Sequence, residues 1–80
     1  MTQKLPTRRE IILNALEALD LARNSLSDAR DWLNSDPIET GWPAEVGGVR
    51  VETKKQIGEA KNLIDSMKSD LYRALDVLEN

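Results

Sequence analysis

Neither cysteine nor histidine occurs anywhere in the 80 residues of this chain. Without cysteine there is no disulfide, no thiolate nucleophile and no thiolate-ligated zinc, a composition compatible with a reducing cytoplasm. Without histidine, the commonest general base and metal ligand at neutral pH is missing. Long apolar runs are lacking as well: nothing approaches the ~20 residues that a bilayer crossing needs. Met1 to Pro6 leads into Thr7-Arg8-Arg9-Glu10 rather than into the apolar stretch of a secretory signal. The expectation is a cytoplasmic protein with no membrane partner. Its net charge of −3 argues against a general nucleic-acid binder, whose domains run basic.

The remaining candidates for chemistry are thin. Glu17-x-x-Asp20 and Asp28-x-x-Asp31 have the spacing of paired metal carboxylates, but a metal site needs its ligands to converge on one interior point. On a helix Glu17 and Asp31 fall on the outermost face, with Asp20 and Asp28 on opposite shoulders, so solvated carboxylates are expected. Gly47-Gly48 lacks the following Lys-Ser/Thr of a phosphate loop. No catalytic residue, metal or cofactor is predicted, and the chain is not read as an enzyme.

What is abundant is helical periodicity. Apolar residues make up 40% of the chain and charged residues 31%, a mixture that suits one small folded domain rather than a disordered tail. Thr7 and Glu10 have the spacing of a capping box, and the helical pattern then runs to Ser35-Asp36-Pro37, where proline restricts the preceding residue. Thr53 and Gln56 repeat the capping spacing. The predicted elements are a helix over 8–34, a connector over 35–52 and a helix over 54–79 in a single domain. In the first helix Ile12, Leu19, Leu26 and Leu33 recur every seven residues, followed at three by Ala15, Ala22 and Ala29. In the second, Ile57, Ile64, Leu71 and Leu78 recur, with Ala60, Met67 and Ala74 three later.

Antiparallel pairing puts Ile12 near Leu78, Leu19 near Leu71, Leu26 near Ile64 and Leu33 near Ile57; in each pair the residue numbers total 90. One register thus aligns every layer. The fold class is all-α: an antiparallel, coiled-coil-like helical hairpin.

The connector is long for such a hairpin, and long ordered loops are often functional. Val46, Val49 and Val51 around Gly47-Gly48 read as a short β-hairpin, with Trp32 and Trp42 forming a small core at the loop end. Residues 1–34 carry five basic and five acidic side chains, as do residues 53–80, so the net charge resides in the connector, in Arg50 against Asp36, Glu39, Glu45 and Glu52.

Three surfaces follow from this pattern. Near the termini Ile11, Leu13, Leu16, Tyr72, Leu75 and Val77 exceed what one seam can bury, which predicts self-association, most simply a dimeric four-helix bundle. Trp42 with Asp36, Glu39, Glu45 and Glu52 forms a candidate partner-binding loop, tryptophan being enriched at binding hot spots. A partner with a basic, nucleic-acid-facing surface would meet those carboxylates, as an inhibitor or accessory protein would use them. The alternative is a cationic stripe beside the seam: Arg23 faces Lys68 and Arg30 faces Lys61, like charges that invite a small anion or a nucleic-acid phosphate. The bland reading of that stripe is a solvated face whose stems cover the seam.

Overall fold

In the computed structural model, which describes residues 5–35 and 42–79, two helices account for almost all of the described residues. Helix α1 spans Arg8–Asn34 and helix α2 spans Ala44–Glu79. Thr7 starts α1 from an extended backbone: its Oγ1 accepts from the Glu10 N–H at 3.1 Å, and its carbonyl accepts from the Ile11 N–H at 3.0 Å. The side chain satisfies one of the four orphan donors at the helix start, and the carbonyl accepts the first intrahelical bond. The return bond of a full capping box, from Glu10 to the Thr7 N–H, is not made among the described residues.

At its other end α1 stops at Asn34. Ser35 donates through its N–H to the Trp32 carbonyl at 3.1 Å and through its hydroxyl to the Asp31 carbonyl at 3.3 Å. No basic residue lies in the last turn of α1. Arg50 of α2 supplies one instead, its Nε donating to the Leu33 carbonyl. A cation is thus placed on the negative end of the helix dipole from the neighbouring element.

The second helix begins ten residues before the predicted start at Lys54, and residues 44–52 are helix rather than connector. The expected β-hairpin does not form: Val46, Gly47, Gly48, Val49 and Val51 all lie within α2. Pro43 ends the extended approach, and its carbonyl accepts from the Gly47 N–H at 2.7 Å, while Glu45 places a carboxylate in the first turn. A lone two-stranded ribbon leaves both outer edges unpaired, whereas a helix pairs its backbone internally. That gain outweighs the ~1 kcal/mol each glycine costs in a helix. Helical geometry also carries the heptad back to Arg50, seven residues before Ile57, on the face turned toward α1.

The helices pack antiparallel. Three ion pairs cross between them, Arg9–Glu79, Asp20–Lys68 and Arg23–Asp65, and in each the residue numbers total 88, within two of the predicted register. Ile12 and Leu78 line one depression, as that register requires. The core is small: Leu16, Ile57, Ile64 and Leu75 are the buried hydrophobic residues.

Leu16 and Leu75 were expected beside the seam and lie inside it, while Met67 and Leu78, expected in it, are exposed. The contact is rotated toward the row that follows the predicted small positions by one residue. Turning inward the rows that hold Leu16 and Leu75 buries two large side chains where the predicted seam offered alanine and methionine, a gain in buried apolar area. Asn34 is level with about residue 55, so the first ten residues of α2 run past the end of α1 by ~15 Å. The molecule measures 59 × 31 × 16 Å, a single layer of helix in its shortest direction.

Candidate interaction surfaces

Because the helices are antiparallel, each side of the seam carries the same heptad rows from both of them. On one side each helix presents a base preceded three residues earlier by an acid: Asp20-x-x-Arg23 on α1 and Asp65-x-x-Lys68 on α2. Running in opposite directions, the acid of one helix is level with the base of the other. Arg23 donates through Nε and an Nη to both oxygens of Asp65, at 2.8 and 3.3 Å. Lys68 donates to Asp20. Farther along, Arg9 donates to Glu79 at 3.0 Å.

These bonds set the charge states. The hydrogen bond from Arg23 is the main reason the Asp65 carboxyl is held below its ordinary range; loss of hydration opposes it, and the positive charges of Arg23, Lys68 and Lys61 add to the lowering. The hydrogen bond to Asp20, with further help from nearby negative groups, raises the Lys68 ammonium above its ordinary value. The arginine and lysine that face each other in the stripe are therefore each occupied by a carboxylate of this chain. Arg30 and Lys61, the other two stripe residues, have no ion pair among the described residues; Arg30 is exposed and Lys61 half-buried. The one signal for cross-helix pairing is the acid-x-x-base spacing repeated on both helices, and it reads equally well as pairing within each helix.

The opposite side of the seam is apolar and open. From α1 it carries Ile11, Ala15, Ala18, Ala22, Ser25, Ala29 and Trp32, alternating at four and three residues. From α2 it carries Leu63, Met67 and Val77 with Ala60 and Ala74. Ile11 is 53% exposed, Trp32 77%, Leu63 62% and Val77 75%. At the end where the termini meet, an open depression of about 520 Å³ is lined by Arg8, Ile11, Ile12, Ala74, Val77 and Leu78. Both helices therefore carry a second stripe about a quarter-turn from the first, the arrangement of a helix that touches two neighbours in a bundle.

Comparison of the chain with protein-family models, with curated proteins and with solved structures finds no match in any of the three.

The other sequence-predicted residues separate in space. Leu16 and Leu75 are consumed by the hairpin's own core and cannot face a second molecule. Leu13 and Tyr72 fall, by heptad position, on the ionic side, away from Ile11 and Val77. Trp32 is exposed rather than part of a loop-end core. Trp42 stands beside the start of α2, with the Arg50 guanidinium carbon 5.3 Å from its ring centroid, a cation–π contact that ties the approach to α2 down. Glu45 and Glu52 are exposed on α2; Asp36 and Glu39 lie outside the described residues. Among the described residues no helix is long and apolar enough to cross a membrane.

Proposed function

We propose that this chain is a helical interaction module whose working surface is the open apolar side of the hairpin, and that it performs no catalysis. One observation carries this conclusion: the two sides of a single seam differ in kind. One is closed by three cross-helix ion pairs, and the other displays a two-helix-wide apolar strip with Ile11, Trp32, Leu63 and Val77 each more than half exposed. Apolar patches of this extent on small proteins mark interaction sites.

The internal pairing of Arg23 and Lys68 supports the apolar side over the anion-binding alternative, since an incoming phosphate would have to displace Asp65 and Asp20. The loop-end surface, with Trp42, Glu45 and Glu52, is the more polar candidate, and Trp42 is already engaged by Arg50.

A photo-crosslinking amino acid placed at Leu63, on the open side, or at Asn24, exposed on the outer face of α1, tests this. Irradiation in the source cells is expected to give adducts from position 63 and few from position 24. Equal adduct formation at both, or none at 63, would refute it.

A further inference from the structure

The apolar strip has a shape that names its occupant, and the inference that follows rests on the interaction-module reading. We infer that a second copy of this chain covers it, with α1 of each hairpin lying on α2 of the other about a twofold axis parallel to the helices. The result is an antiparallel four-helix bundle.

The exposed area is the first reason. A compact monomer of the chain's 9.0 kDa exposes about 4,900 Å², and this chain exposes 6622 Å². The excess, about 1,700 Å² over the whole surface of this elongated hairpin, matches in size the ~1,000–2,500 Å² that each subunit buries in an obligate dimer. A short peptide or a small ligand would leave most of it in water.

Self-complementarity is the second. On the open side the α1 row is made of small residues, from Ala15 to Ala29, whereas the α2 row offers Leu63 and Met67 at the same heights. A twofold axis along the helices keeps height and exchanges the helices, so each large row settles on a small one. Ser25 then lies across from Leu63 of the second copy, and Ile11 from its Val77. The open face of α1 is covered along its whole 27-residue length in this way. Turning the axis perpendicular to the helices would instead stack α1 on α1 and α2 on α2, small row on small row and large on large.

Charge is the third. The two rows hold one basic residue, Arg8, and one acidic residue, Asp70. A neutral surface does not repel its own copy, whereas a dedicated foreign partner is usually selected by complementary charge.

Sedimentation equilibrium over a concentration series, with far-UV circular dichroism alongside, is the test. The wild-type chain is expected at twice its monomer mass. A Leu63→Glu, Val77→Glu double variant is expected to keep its helicity, because both side chains lie outside the hairpin's own core, and to raise the dissociation constant ~100-fold or more. Val51→Glu, on another face, is expected to leave the dimer intact and controls for nonspecific charge effects.

Arrangement is read from two single-cysteine variants. Mixed and oxidised, Ser25→Cys and Leu63→Cys chains are expected to give mainly the mixed disulfide, which cannot form within one chain. Predominance of Leu63→Cys homodisulfides would overturn the α1-on-α2 arrangement. A wild-type chain that stays monomeric at ~1 mM would overturn the second copy altogether. In that case, adducts with other proteins from position 63 would leave the interaction-module reading standing, and a lack of adducts would remove both.

Discussion

Replacing Gly48 by alanine separates the two conformations that the valine-rich segment before Thr53 could take. Gly48 lies in the second turn of α2, and a Cβ built on it meets no atom within 4 Å. In a helix with open space around the new methyl, alanine gains ~1 kcal/mol over glycine. In the tight turn of a β-hairpin, Gly48 would sit at positive φ and alanine would cost roughly 1–2 kcal/mol. The sign of the effect is therefore the measurement. Gly58 provides the calibration, being also helical with no atom within 4 Å of a built Cβ, but inside the part of α2 that packs on α1.

Gly58→Ala is expected to raise the thermal midpoint by about 4–8 °C, the usual response of a domain this size to ~1 kcal/mol. Gly48→Ala lies on the overhang, so part of its gain is local: helicity and amide protection over residues 44–53 rise more than the global midpoint does. Thermal scans at one fixed protein concentration, with hydrogen exchange on the same samples, read both effects. Loss of ellipticity or a lowered midpoint with Gly48→Ala would refute a helical 44–53. The same result with Gly58→Ala would mean that something packs against that glycine.

Three further outcomes follow from the packing. Leu16→Ala, at the most buried side chain of the hairpin, is expected to cost about 2–5 kcal/mol in chemical denaturation, whereas Leu21→Ala, at 62% exposure, changes stability by under about 0.5 kcal/mol. Arg50→Ala removes both the cap on the Leu33 carbonyl and the cation over Trp42; a loss of about 1–2 kcal/mol with a change in tryptophan fluorescence is expected, and Arg50→Lys should restore only part of it. Stability should be level near neutral pH and fall on both sides. The lowered carboxyl of Asp65 contributes stability that is present above its unfolded value and lost as acid carries the pH down through the folded one. The raised ammonium of Lys68 contributes stability that is present below its unfolded value and lost as the pH climbs through the folded one. Asp65→Asn should flatten the acid limb and leave the alkaline limb in place.

Seven-residue periodicity in both halves of the chain was enough to specify an antiparallel hairpin, its register to within two residues, the Thr7 cap and the end of α1 before Asp36-Pro37. Those features depend on local chemistry and on repeat phase, both of which are written along the chain. Which row of the heptad turns inward was not legible. Leu16 and Leu75 share their rows with Arg9, Arg23, Arg30 and with Lys54, Lys61, Lys68, so each row reads as charged until the burial of the two leucines is seen. The cationic stripe hinged on a similar ambiguity: whether Arg23 faces Lys68 or Asp65 is a shift of three residues, ~4.5 Å along the axis, too fine for periodicity to distinguish.

The start of α2 was decided by the partner helix. Val46 to Val51 with two glycines favours extended structure when judged locally. It is Arg50, reaching a carbonyl at the end of α1 and a tryptophan ring just before α2, that connects this stretch to the rest of the fold. Local sequence thus determined that two helices exist and run in opposite directions. Only their contact determined how far each extends, which faces are spent within the hairpin and which remain open.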